Sequence, residues 1–322
     1  METSTSAHAS SKDFPDNVKG QDDMRVLISG ASGLLGSAIR PALAAAGHST
    51  SALVRRVPAG NEVQWDPASS LYPHKLNGFD AIVHLAGKNI SGRWTEKFKR
   101  EVRESRVQGT RTLATAAAES FRRSGLPRIF VAASATGYYG NRGDEVLTEQ
   151  STPGTGFLAE VCQEWENATG PSAEAGIRVV SLRIGVVLAK HGGALQAMLP
   201  AFRLGLGGPV GDGRQYLSWI TLDDLVGVFL VALTNDNLRG PVNAVAPQPV
   251  RNAEFARELA KALHRPAIFP LPAFVVRTLF GEMGESLLLA SARVQPAQLE
   301  AAGYAFRHPD LGDALRATLG RT

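Results

Sequence analysis

The chain is short of cysteine, of long apolar runs and of charge of one sign, and each shortage closes off a class of protein. Cys162 is the single cysteine among 322 residues. No internal disulfide can form, and the expected setting is a reducing one, the cytoplasm. No apolar run approaches the roughly 18 residues that a membrane-spanning helix needs. Basic and acidic residues nearly balance, 34 against 30. The basic ones are scattered, which argues against a dedicated nucleic-acid or membrane-surface binder. The seven histidines show no metal-ligand spacing, with His84 at a strand end and His191, His264 and His308 far apart, so no metal is expected. Residues 1–23 have Phe14 as their only aromatic and lack an apolar h-region. They are expected to be a disordered tail rather than a secretory signal or a transit peptide.

What is present is ordinary in bulk, 44% hydrophobic and 20% charged, and specific in one place. The apolar run Arg25–Ser29 ends in Gly30, with Gly33 and Gly36 following at steps of three before a helical pattern that stops at Gly47. Strand, glycine turn and helix in that order form a dinucleotide site. Gly30 permits a turn that a Cβ would hinder. Gly33 lets the backbone approach a diphosphate, and Gly36 lets helix and strand pack closely. The helix N-terminus supplies unpaired N–H groups for the phosphates. Gly30, Ser32, Gly33, Leu34, Leu35 and Gly36 are therefore the first cofactor-binding candidates, and Gly185, at the end of a later strand, is another.

The remainder alternates strand and helix. Strands are expected at Arg25–Ser29, Ser49–Val54, Ala81–Ala86, Ile129–Ala133 and Val179–Ile184, and helices at 34–46, 95–119, 157–175 and 223–234. Near-continuous apolar strands separated by helices predict an α/β fold, a Rossmann-type doubly wound parallel sheet. Pro41 stands inside the first helix and should bend it. Beyond about 240 Pro and Gly become denser, and Asn252–His264 reads as an amphipathic helix. The expected division is a core over 24–240, which includes part of a substrate loop at 190–218, and a smaller C-terminal substrate lobe over 241–322.

The end of the second strand selects the cofactor. An NAD enzyme usually places a carboxylate there for the ribose 2′-hydroxyl; this chain has Val54-Arg55-Arg56. Nothing repels a 2′-phosphate, and Arg55 offers a planar fork to bind it, so NADP is expected. The third strand runs into His84-Leu85-Ala86-Gly87, whose small residues let a dinucleotide lie across the sheet crest.

The glycine spacing, HLAG and SWITLDDL resemble the extended short-chain dehydrogenase/reductases, the sugar-nucleotide epimerase group. The segments HLAGKNISGRWTEKFKREVRESRVQGTRTL, SATGYYG, FRLGLGGPVGDGRQYLSWITLDDL and GEMGESLLLASARVQPAQLEAAGYAFRHPDL resemble one branch of it, the epimerase family proteins, over about 24–321. Members of that branch are labelled NADP-dependent sugar-nucleotide epimerases or cell-division inhibitors. The resemblance implies NADP contacts at Val54, Arg55, Leu85, Ala86, Glu101 and Arg106. Read from the residues alone, Glu101 and Arg106 fit a surface salt-bridge helix with Lys97, Arg100, Arg103 and Glu104 better than a cofactor site.

The superfamily's proton-transferring tyrosine and the lysine one helical turn later are missing. Phe157 and Val161 stand in their places, and neither transfers a proton. The nearby substitutes are Ser134 and Thr136, to hold a substrate oxygen, and Tyr138 or Tyr139, to donate a proton. The superfamily's catalytic Ser/Thr position falls on Ala135. The plainer role for both tyrosines is packing of the substrate-side loop.

The glycine-rich stretch 203–219 suits a substrate loop. Arg203 and Arg214 are placed to take a nucleotide diphosphate, and Trp219 to stack on a base. Asp223 and Asp224 read as a helix cap. Two functions stay open: an NADP-dependent epimerase or oxidoreductase on a small polar or nucleotide-linked substrate, or a catalytically reduced NADPH-binding regulatory or redox-sensing protein. A homodimer through 95–119 and 157–175 is where this superfamily pairs.

Overall fold

Seven strands pair side by side, all parallel: β1 (Arg25–Ser29), β2 (Ser49–Val54), β3 (Val63–Gln64), β4 (Ala81–His84), β5 (Ile129–Ala135), β6 (Arg178–Ile184) and β7 (Gly240–Ala244), in the order β7-β6-β5-β4-β1-β2-β3. The structure, a computed structural model, describes residues 23–320, so the expected tail lies outside it except for Asp23. The strand order reverses between β1 and β4, which is where a doubly wound sheet opens a crevice at its carboxyl edge.

The two-residue alternation of the strands builds two cores. Val26 and Ile28 of β1, with Val83, Val131 and Val180, face one side. There Ile39 and Leu43 of α1 (Leu34–Ala45) and Leu225 and Phe229 of α6 (Leu222–Thr234) cover them. Leu27, Ile82 and Phe130 face the other side, under Leu113 and Ala117 of α2 (Glu96–Ser124). Thr95 caps α2, its hydroxyl accepting the Phe98 N–H, and Gly125 ends it in the left-handed region at φ 72°. The helix α1 continues through Pro41, whose ring lies on the exposed side.

Three expectations shift. The helix expected over 157–175 is two, α3 (Phe157–Asn167) and α4 (Gly170–Glu174), because Pro171 opens the second and cannot continue the first. The strand expected over Ala81–Ala86 ends at His84, and the next runs on to Ala135. The division expected at 240/241 falls inside β7, which is the sheet's edge strand and pairs with β6.

A third core lies beyond the carboxyl edge. It joins α5 (Gly193–Arg203), α7 (Asn252–Leu263) and α10 (Leu311–Leu319) through Leu199, Phe202, Phe255, Leu259, Leu311 and Leu315. From it α8 (Ala273–Gly284) and a following π-helical turn, Glu285–Leu289, reach across towards the N-terminus of α2. The short helix α9 (Ala297–Ala301) returns the chain beside β7. No helix among the described residues is long and apolar enough to cross a membrane.

Candidate cofactor and substrate site

The glycine turn is built as its spacing requires. Gly30 has φ 69°, and a Cβ there would sit 3.0 Å from the Ala86 nitrogen. A Cβ on Gly36 would meet the Gly30 carbonyl oxygen at 2.4 Å, so only glycine lets α1 approach β1. Gly33 precedes α1 with no side-chain cap, and the first turn of that helix carries no acid. Its leading N–H groups are thus left for an anion, with Ser32 exposed and Leu34 and Leu35 half-buried around them.

At the end of β2 the two arginines separate. Arg56 forks onto Glu62, with both nitrogen–oxygen distances 2.7 Å. Arg55 is exposed and pairs with no side chain among the described residues. Val54 beside it is half-buried. At the end of β4, Leu85 and Ala86 donate their N–H groups to the Ser29 hydroxyl at 3.0 and 3.2 Å. Gly87 follows under the Arg106 guanidinium.

Arg106 is bound within the protein. It donates to the carbonyls of Lys88 (2.9 Å) and Val102 (3.2 Å) and lies over the Trp165 ring at 5.0 Å. Glu101 pairs with Lys88 at 2.7 Å, which holds its carboxyl below the usual range. Both clamp the 87–90 loop onto α2. Gly185 ends β6 where a Cβ would strike the Ser218 carbonyl at 2.6 Å, so its glycine serves close packing of two backbone segments.

The four candidate catalytic residues divide in two. Ser134 is buried and donates to Glu166 at 2.7 Å, and Arg183 grips the same carboxylate at 2.9 Å through two nitrogens. Tyr139 is fully buried. Its hydroxyl donates to Asn243 (2.7 Å) and accepts from Arg183 (2.9 Å), and burial pushes its pKa up to about 12. Ser134 and Tyr139 are consumed by this buried network and present nothing to a ligand. Thr136 and Tyr138 remain half-buried on the single turn Thr136–Tyr139 that follows β5. The Arg183 guanidinium stacks 3.4 Å above the Tyr138 ring. The network was hidden because Arg183, Glu149, Glu166 and Asn243 are far apart in sequence; a buried arginine in a strand is the one cue.

Phe157, at the tyrosine position, is walled in. Trp94 meets it edge-on at 5.2 Å, and Lys99 and Arg103 lie over its ring at 5.2 and 5.9 Å. Val161 is buried.

Of the substrate candidates, Trp219 is displaced from its expected role. It is wholly buried in the third core, and its indole N–H donates to the Gln248 carbonyl at 3.0 Å, so it has no face to offer a base. Arg203 is exposed at the end of α5, its carbonyl held by Arg265. Arg214 is exposed in the loop after Gly213, its N–H bonded to Asp212.

Residues 26–244 match the NAD dependent epimerase/dehydratase family, and residues 271–318 match a domain of unknown function. An epimerase family protein of Mycobacterium bovis is 46% identical over 293 residues, 90% of this chain and 96% of that protein. The crystal structure of the human epimerase family protein SDR39U1 (isoform 2) with NADPH has a TM-score of 0.85 at 37% identity, covering 93% of this chain and 100% of that one. A nucleoside-diphosphate sugar epimerase from Corynebacterium glutamicum gives 0.78 at 38% identity, covering 93% of this chain and 59% of that one. The resemblance drawn from the motifs and the fold expected from them agree with these findings.

Proposed function

The chain belongs to the NAD-dependent epimerase/dehydratase family, and on that footing we propose that it binds NADP(H) and acts as an epimerase or oxidoreductase on a hydroxyl or carbonyl carbon of a small molecule. The observation that carries the cofactor choice is the contrast at the end of β2. Glu62 neutralises Arg56 and leaves Arg55 open for a 2′-phosphate. The human relative's crystallisation with NADPH supports the same choice.

The uncapped N-terminus of α1 would take the diphosphate, with Gly30, Gly33 and Gly36 keeping side chains out of its way. Leu85 and Ala86 would lie along the crest at the β1/β4 crevice. NADP, when bound, accepts a hydride, and NADPH donates one. Thr136 would hold the substrate oxygen and Tyr138 would exchange its proton, since Ser134 and Tyr139 are engaged elsewhere. Titration with NADPH and NADH tests the cofactor reading; equal affinity for the two would refute it.

A second reading is favoured by Phe157 and Val161: a catalytically reduced NADPH-binding protein that senses redox state or regulates. The absence of NADPH turnover on any carbonyl, with tight NADPH binding retained, would decide for it.

A further inference from the structure

Independently of the cofactor reading, we propose that the opposite edge of the sheet carries a second anion site, a hollow that takes a dianionic phosphate group. β5, β6 and β7 lie side by side, and an arginine stands at the amino end of each. Arg128 precedes β5, Arg178 opens β6 and Arg239 precedes β7. They are scattered in the sequence, and the parallel sheet gathers them. With Phe121, Gly125 and Gly176 they line a hollow of about 450 Å³, within the roughly 300–1,000 Å³ of small-molecule sites. The glycine turn and the Thr136–Tyr139 turn lie at the carboxyl edge, so the hollow is remote from both. A Cβ on Gly176 would come 3.5 Å from the Phe121 ring, and one on Gly125 would meet nothing within 4 Å, so the wall there is aromatic ring and bare backbone.

The charge around the hollow is unbalanced. Arg178 is buried and its donors are spent inside the protein. It donates to the carbonyls of Ala232 (2.8 Å), Leu233 (2.9 Å) and Leu238 (3.1 Å), and its Nε meets Asp236 at 3.4 Å. It thus answers the negative end of α6 and the Asp236 carboxylate. Arg128 and Arg239 are exposed, and neither guanidinium pairs with a carboxylate among the described residues. Arg239 Nε donates to the Asp236 carbonyl at 3.3 Å, which leaves its two terminal nitrogens open. Neighbouring acids are engaged elsewhere: Asp80 accepts the Arg25 N–H at 2.8 Å, and Glu166 is held by Arg183. Arg122 and Arg123, exposed on the last turn of α2, add to the positive field, and exposed Glu174 opposes it from outside the lining. Burial lowers the Arg178 pKa; Asp236 opposes that shift and the Arg239 charge adds to it, so the two cations repel each other. A bound anion relieves that repulsion. Two unpaired guanidinium forks suit a group with about two negative charges and three acceptor oxygens, which at neutral pH is a phosphate. A single carboxylate would leave one fork unanswered.

Calorimetric titration of the full chain with inorganic phosphate and with phenyl phosphate tests this. Both should bind saturably. Arg128→Ala and Arg239→Ala should each weaken binding by about tenfold or more, the loss expected for a charge-assisted contact. Both side chains are exposed, so the melting temperatures should stay near that of the parent. Tighter binding of phenyl phosphate assigns the hollow to an organic phosphate whose ring lies against Phe121, and equal binding assigns it to the free ion; both uphold the site. No saturable binding of either anion overturns the proposal. So does binding that both variants retain, and if Arg55→Ala then weakens it, the phosphate belongs to the cofactor turn. The outcome stands whether or not NADPH binds.

Discussion

The hydroxyl of Ser29 and Nδ1 of His84 lie 2.6 Å apart, joining the ends of β1 and β4 where the strand order reverses. Ser29 accepts two N–H groups from Leu85 and Ala86, so the network assigns its own proton to His84 Nδ1. The imidazole is then neutral with its hydrogen on Nε2, which has no hydrogen-bond partner and lies among Trp65 and Phe130. Burial lowers its pKa from 6.5 to about 4.

A pH dependence follows from that shift. Between pH 6.5 and about 4 the unfolded chain binds a proton that the folded chain refuses. The stabilisation from a neutral His84 is therefore fully present above 6.5, falls as the pH drops through this window, and is level below about 4. The whole change is about 3 kcal/mol for this one group. Urea unfolding measured across the window should show the fall, and His84→Asn should flatten it. An equal slope in the variant would mean that other groups cause it.

The two arginines after β2 should behave differently. Arg55→Ala should narrow the preference for NADPH over NADH by about 1–3 kcal/mol, the range for a charge-assisted contact. Arg56→Ala should leave it nearly unchanged, because Arg56 is already forked onto Glu62. Calorimetry with both cofactors checks this, and the reverse ranking would assign the phosphate to Arg56.

Adjacent tyrosines should also separate. Tyr138→Phe should lower turnover about 100-fold or more, as expected for a lost general acid, with the melting temperature and NADPH affinity little changed. Tyr139→Phe should instead cost about 1–3 kcal/mol of stability, since it leaves the buried Asn243 and Arg183 without their partner. Rate and thermal melts on the two variants distinguish the roles. A Tyr139 variant that melts normally and loses turnover would exchange them.

Gly36→Ala should destabilise the fold by about 1–3 kcal/mol or more, because the added methyl meets the Gly30 carbonyl and the Ala31 backbone, which cannot step aside. Gly125→Ala tests the other kind of glycine. Its Cβ would meet nothing within 4 Å, so its cost comes only from the positive φ of 72°. Comparing their melting temperatures separates contact from conformation.

The parallel sheet was legible from the sequence because its signals are local. Continuous apolar strands such as Ala81–His84, the glycines at steps of three and the helical periodicity each act within a few residues. The cofactor choice was legible for the same reason, since the strand end that reads the ribose carries Val54 and Arg55 beside each other. What occupies the tyrosine position was equally plain, because Phe157 and Val161 are a matter of residue type.

The tertiary structure alone decided which polar residues remain available. Ser134 and Tyr139 carry suitable groups, but a buried polar group is costly to leave unpaired, and theirs are engaged by Glu166, Arg183 and Asn243, up to about a hundred residues away. Trp219 has the ring that a base would stack on, yet the third core closes over it from α5, α7 and α10. Arg55 and Arg56 look interchangeable until the return of the chain at Glu62 ties up one of them. Hydrophobic period and glycine spacing act along the chain, whereas a side chain's availability depends on what the rest of the fold places against it.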